Sequence, residues 1–134
     1  MKRVLIIEDE SKMNFRAIDN ARQHFLNKIE FIIARSIPAA QNALKLARNE
    51  NKPFDIIILD VMMEPEPYSM DETKGGTETG WIFYQRELKK LMSVKIFLWT
   101  RIDDVLDKKW GENVYKKKRK SNDDNDIVNL LEGE

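Results

Sequence analysis

The chain has 134 residues, with 23 Lys and Arg against 23 Asp and Glu, one His and no Cys. That length suits one domain, the balanced charge argues against a dedicated polyanion binder, and the missing cysteine excludes disulfides, thiolate catalysis and cysteine zinc sites. Hydrophobic residues make up 42% and charged residues 34%, the N-terminus turns acidic too soon for a secretory leader, and no apolar run reaches the roughly 20 residues that span a bilayer. A small cytoplasmic protein with no membrane contact is expected.

The first predicted element is a strand, Val4-Leu5-Ile6-Ile7, running into Glu8-Asp9-Glu10. A helix follows, with Ser11 as N-cap and Phe15, Ile18, Ala21, Phe25 and Ile29 at spacings of three and four on its apolar face. Phe31 to Ala34 is a second strand, and Pro38 suits the first turn of a helix carrying Ala40, Ala43, Leu44 and Ala47. The third strand, Ile56 to Leu59, ends on Asp60. Runs so short and so continuously apolar fit strands buried on both faces of a parallel sheet.

Met62 to Thr79 is rich in Pro, Gly and acid, longer than an ordinary connection, and therefore expected to be functional or mobile. After Gly80, the positions Trp81, Tyr84, Leu88 and Leu91 repeat the helical spacing. Val94 to Trp99 is a fourth strand. Between Arg101 and Trp110 only Ile102, Val105 and Leu106 can anchor a helix, which should be short or irregular. Asn113-Val114-Tyr115 is a polar, weaker fifth strand suited to a sheet edge, and Lys116 to Lys120 is an unbroken basic run. Ile127, Val128, Leu130 and Leu131 form a last helix, with Asp124 and Asp126 near its positive end. Strands alternating with helices predict an α/β, flavodoxin-like three-layer sandwich with a five-stranded parallel sheet in order 2-1-3-4-5.

In that order the first and third strands are neighbours, so Glu8, Asp9 and Asp60 converge at the carboxyl edge, where ligands bind in such sheets. Carboxylates that close repel unless a cation joins them, and Mg²⁺ favours a few carboxylates plus water. Asp60 is the candidate nucleophile, able to attack phosphorus and form an acyl phosphate once charge is neutralised. Asp9 is expected to bind the metal directly, Glu8 directly or through water, and the backbone carbonyl of Met62 to supply a further ligand.

VLIIEDE, DIIILDVMM and IFLWTR together make the whole chain resemble the receiver domain of two-component response regulators, of the chemotaxis-like type that stands alone. The resemblance implies that Glu8 and Asp9 hold Mg²⁺ and that Asp60 accepts phosphate from a sensor histidine kinase or a histidine phosphotransfer protein. It also implies that Thr100 contacts the attached phosphoryl group and that a lysine ending the fifth strand pairs with a phosphoryl oxygen. The protein is then a phosphoacceptor switch rather than a turnover enzyme, with 1–134 a single receiver-like domain.

Three features depart from the family pattern. No proline follows the lysine run, so the register is open among Lys116, Lys117 and Lys118. Lys117 is expected to point inward if Tyr115 is the strand's last core residue, and Lys118 if Tyr115 is the aromatic switch position three residues before the lysine; Lys117 is preferred. An inserted loop, about 64–79, separates Met63-Glu64-Pro65 from Gly80 and should hang over the site, as a shield for the acyl phosphate, a restriction on the kinase, a partner surface or a tolerated insertion. The segment between Thr100 and Val114 is short, and Trp99, Trp110 and Tyr115 are expected to form an aromatic patch on that face or to pack around an irregular helix.

The alternative is a pseudo-receiver, never phosphorylated, that acts as a protein-interaction module. Aspartate phosphatases need a second acid after the nucleophile, which Asp60-Val61-Met62 lacks, and an FMN site would be repelled by Glu8-Asp9-Glu10. DNA binding is not expected, since acids directly follow the basic run. No output domain follows the last helix, so output is expected through protein binding unless the chain is part of a larger regulator. His24 is assigned no role.

Overall fold

The computed structural model describes residues 1–9 and 11–134, with side chains for 1–9 and 14–134. Its strands are β1 (Lys2–Ile7), β2 (Ile29–Ala34), β3 (Ile56–Leu59), β4 (Lys95–Thr100) and β5 (Val114–Arg119), all parallel in the order β2-β1-β3-β4-β5. The helices are α1 (Ser11–His24), α2 (Ile37–Asn49), α3 (Thr79–Phe83), which runs on into a π-helical turn (Tyr84–Leu88), and α4 (Asp126–Leu131). This is the expected flavodoxin-like sheet. Among the described residues no helix is long and apolar enough to cross a membrane.

Strand alternation divides the core in two. Leu5, Ile7, Ile57, Leu59, Ile96 and Leu98 face α2, α3 and the π-helical turn. Val4, Ile6, Ile56, Ile58, Phe97 and Trp99 face α1 and α4. β1 and β3 lie inside the sheet with helices on both faces, which is why their sequences are apolar without alternation.

Several sequence expectations are corrected. Helix α1 ends at His24, and Ile29 opens β2 instead of closing the helix. Phe15, expected in the core, is 62% exposed. Ser36, preceding Ile37 and Pro38, caps α2 by accepting from Ala39 N at 3.1 Å, whereas the cap expected at Ser11 lies outside the described side chains. Between β4 and β5 lies a single 3-10 turn (Asp104–Asp107), the short and irregular helix expected of that segment. Trp99, Trp110 and Tyr115 form no common patch. Trp99 is buried on the α1/α4 side, Trp110 packs edge-on against Trp81 and Tyr84 on the opposite side, and Tyr115 is 55% exposed.

β5 differs most from expectation, because the basic run is the strand itself. It pairs with β4 through Ile96↔Val114, Phe97↔Lys116, Leu98↔Lys117, Trp99↔Lys118 and Thr100↔Arg119, with Tyr115 left over in a bulge. Exposure alternates, Lys116 and Lys118 being half-buried and Lys117 and Arg119 exposed.

Candidate metal and phosphoacceptor site

Backbone pairing carries the acids to one rim. Glu8 N donates to Ala34 O and Asp60 N to Ile7 O, both at 2.9 Å, so the chain leaves β1 and β3 still in register. The carboxylates of Glu8, Asp9 and Asp60 each offer an oxygen within 4.8 Å of the others. Glu8 and Asp60 are buried, at 0% and 2% exposure, and Asp9 is half-exposed at the mouth.

Gly80 is required at this rim. A Cβ there would stand 2.5 Å from the Asp60 carbonyl oxygen and 2.7 Å from Val61 Cα, so only glycine lets the start of α3 approach the backbone beneath Asp60. Gly80 N donates to Val61 O at 2.8 Å, fixing that approach.

Lys120 is the lysine that reaches Asp60. Its ammonium donates to Asp60 Oδ2 at 2.7 Å, lies 3.9 Å from Glu8 Oε1, and is fully buried. It also sits 4.7 Å from the centre of the Trp99 ring, a cation–π distance. The expected Lys117 points away, with its ammonium donating to Leu106 O at 3.2 Å in the 3-10 turn. Lys116 and Lys118 turn toward α4, Lys116 to Leu130 O at 3.0 Å and Lys118 to Asp126 at 3.3 Å. The physical reason is twofold: the strand continues through the run, and the bulge at Tyr115 shifts its alternation so that 116, 118 and 120 share the α1/α4 side. Tyr115 is therefore neither the last core residue nor three positions before the inward lysine; Lys117 stands there.

Thr100 ends β4 fully buried, its hydroxyl oxygen 3.5 Å from Ile102 N. Met62 N donates to Asp60 Oδ1 at 3.3 Å, which places Met62 and its carbonyl directly beside the acid. The sequence reading passed over Asn14 and Arg101. Asn14 Nδ2 donates to Glu8 Oε1 at 3.1 Å, and Arg101 Nη2 lies 3.4 Å from Asn14 Oδ1. Helical spacing alone could have suggested Asn14, which breaks the apolar face one residue before Phe15.

Asp126 is buried behind Lys120. Its carboxylate accepts from Trp99 Nε1 at 2.9 Å, Ser121 N at 2.9 Å and Ser121 Oγ at 2.8 Å. Burial opposes its ionisation, but these donors and the nearby Lys118 outweigh burial and hold the carboxyl below the usual aspartate range.

The insertion leans on the α3 flank and reaches the rim where Glu64 N donates to Asp9 Oδ2 at 3.0 Å. Tyr68 OH donates to Glu87 at 3.2 Å, and Arg86 pairs with Glu72. Burial and the Glu87 charge push the Tyr68 phenol up to about 12. Thr79 Oγ1 donates to Met63 O at 2.8 Å, closing the loop onto β3's exit. A cleft of about 440 Å³ is lined by Asp9 and Met62 on the rim side and by Glu64 and Gly76 of the insertion. His24, on the far end of α1, pairs with Glu132 at 3.1 Å.

Three carboxylates and the Lys120 ammonium meet at this rim. The all-oxygen donor set fits a hard divalent cation such as Mg²⁺, and one carboxylate among them meets a buried lysine that can balance an incoming phosphoryl oxygen.

No protein-family model matches the sequence, and no curated protein matches it. Solved structures do match along nearly the whole chain. A two-component response regulator from Cytophaga hutchinsonii is 20% identical, with 97% of this chain and 93% of that one covered at a TM-score of 0.64. The response regulator TrrA from Thermotoga maritima, solved with Mg²⁺ and BeF, is 18% identical over 98% of this chain and 96% of its own, with a TM-score of 0.61. TrrA is also solved in complex with the histidine kinase ThkA. The Mn²⁺-bound response regulator Rcp1 is 24% identical over 99% of this chain and 91% of its own, with a TM-score of 0.61.

Proposed function

With the response-regulator receiver fold as the starting point, we propose that residues 1–134 act as a single receiver-like domain, a phosphoacceptor switch on Asp60, with residues 64–79 as an inserted loop. The observation that carries this reading is the meeting of Glu8, Asp9 and Asp60 within 4.8 Å, with Lys120 at 2.7 Å from Asp60. The donor is the phosphohistidine of a sensor histidine kinase or histidine phosphotransfer protein, the partner class seen with TrrA. An Asp60 oxygen attacks phosphorus, the P–N bond breaks as the P–O bond forms, and the imidazole nitrogen leaves and takes up a proton. Glu8, Asp9, Asp60 and the Met62 carbonyl would hold Mg²⁺, which when bound would supply charge neutralisation for the transferring group. Lys120 pairs with one new phosphoryl oxygen, and the Thr100 hydroxyl turns from Ile102 N to donate to another. The protein is a switch that is reset by hydrolysis, not a turnover enzyme, and its place is the cytoplasm.

The test uses acetyl phosphate, or beryllofluoride with Mg²⁺, on the intact protein. Trp99, whose ring lies under the Lys120 ammonium, should change fluorescence, and intact mass should gain one phosphoryl group with acetyl phosphate. Asp60→Asn should abolish both responses. A pseudo-receiver that serves only as an interaction module is the second reading. No Mg²⁺-dependent response from the unmodified chain would establish it and overturn the switch.

A further inference from the structure

Lys120 must hold a charged, flexible side chain in one place at the end of an edge strand. Where the receiver pattern has a proline after this lysine, Ser121 stands here, with a backbone torsion that no ring fixes. Lys120 N donates to Thr100 O at 2.8 Å, which secures the strand but not the residue beyond it.

We propose that Asp126 is a positioning residue for Lys120, locking Ser121 after the lysine and the Trp99 ring beneath its ammonium so that the ammonium stays on Asp60. The proposal rests on the phosphoacceptor reading of the preceding section for its functional meaning. Asp126 Oδ2 receives Trp99 Nε1 and Ser121 N, both at 2.9 Å, and Oδ1 receives Ser121 Oγ at 2.8 Å. Lys118, two residues before Lys120, lies 3.3 Å from the same Oδ1. These donors come from both sides of Lys120 in the chain and from the ring under it. One carboxylate thus fixes the backbone after the lysine and the plane against which its stem lies. Asp126 itself is 1% exposed and anchored at the start of α4, so it belongs to the rigid part of the fold. Its burial means that a vacated donor cannot turn to water instead, which keeps the lock closed.

The experiment compares the wild type with Asp126→Asn and Ser121→Ala by two readouts. The first is the ring-current shift of the Lys120 methylene protons near the amine, seen by NMR without any ligand. The second is a pair of titrations, Mg²⁺ alone and beryllofluoride at saturating Mg²⁺. Asp126→Asn keeps the side chain's shape but places an amide donor against Trp99 and Ser121. It should collapse the ring-current shift and weaken beryllofluoride by about tenfold or more, the loss of one charge-assisted hydrogen bond. Mg²⁺ affinity should hold or tighten, because its acids are untouched and a cation has loosened from among them. Ser121→Ala removes one donor and should give a smaller change in the same direction; it decides the matter if Asp126→Asn does not fold. An unchanged Lys120 shift, or Mg²⁺ and beryllofluoride weakening together with a fall in Tm, overturns the proposal. If the wild type gives no beryllofluoride response, the switch reading fails while the lock is still judged by the Lys120 shift.

Discussion

β3 and β5 each run into a charged residue, Asp60 and Lys120, and the two meet, yet the strands are built from opposite materials. β3 is Ile-Ile-Ile-Leu, paired on both edges and wholly buried. β5 is Val-Tyr-Lys-Lys-Lys-Arg at the sheet's edge, with every second residue exposed. Asp60 is placed by a backbone that cannot move without opening the core. Lys120 is placed by what lies around it: Trp99 under the ammonium, Asp60 and Glu8 in front, and Asp126 behind. A strand can therefore bury the residue that follows it without being apolar itself, provided its lysines lie over a neighbour's aromatic rings, as the Lys116 ammonium does over Phe97 at 5.1 Å.

That contrast is broken most directly at its meeting point. Lys120→Met keeps the stem but removes the ammonium from beside buried Asp60 and Glu8, a loss of about 3–5 kcal/mol for breaking a buried ion pair. Urea unfolding should show that loss in the absence of metal and a partial recovery with Mg²⁺, and a metal-free stability equal to wild type would mean that the pair does not hold β5 in place. Ile57→Ala in mid-β3 should cost about 2–5 kcal/mol through the cavity it leaves, with no recovery by Mg²⁺ in the same titration. Acid sharpens the β5 side. The Asp126 carboxyl is held below its ordinary value of 3.8, so the unfolded chain takes up the proton more readily. The stability it contributes is complete above that value and is lost as pH falls through the folded-state value. Urea midpoints measured from about pH 5 to about pH 2 should fall less steeply in Asp126→Asn than in wild type. Lys117→Ala should be the mildest change, within about 0.5 kcal/mol and without effect on the beryllofluoride response, since its ammonium serves only Leu106 O.

What the sequence made legible follows the same division. β1 and β3 announce themselves because double-sided burial demands unbroken apolar runs, and the acids that end them could be placed at one rim before any coordinates. Asp60, Asp9, Glu8 and Thr100 stand where the pattern put their strands' ends. β5 was harder to read, since a run of Lys and Arg carries no hydropathy signal, and a β-bulge leaves none either. The inward lysine was for that reason sought at Lys117, three residues too early. A trace is present: 116, 118 and 120 share a parity, and Asp126 lies close downstream as the counter-charge of Lys118. Ile29 was misassigned because a short apolar run at a helix–strand junction satisfies both periods. Arg101 and Trp99 act through contacts between distant segments, which spacing along the chain does not encode.

The surplus residue at Tyr115 decides which kind of cation confronts the acids. Counted from Val114 without that extra step, Tyr115, Lys117 and Arg119 would occupy the side now held by Lys116, Lys118 and Lys120. The outermost group at the rim would then be a broad, flat guanidinium instead of a compact ammonium. Deleting Tyr115 would leave Lys116, Lys118 and Lys120 where they are, whereas straightening the strand with every residue kept would exchange the chemistry of the pocket.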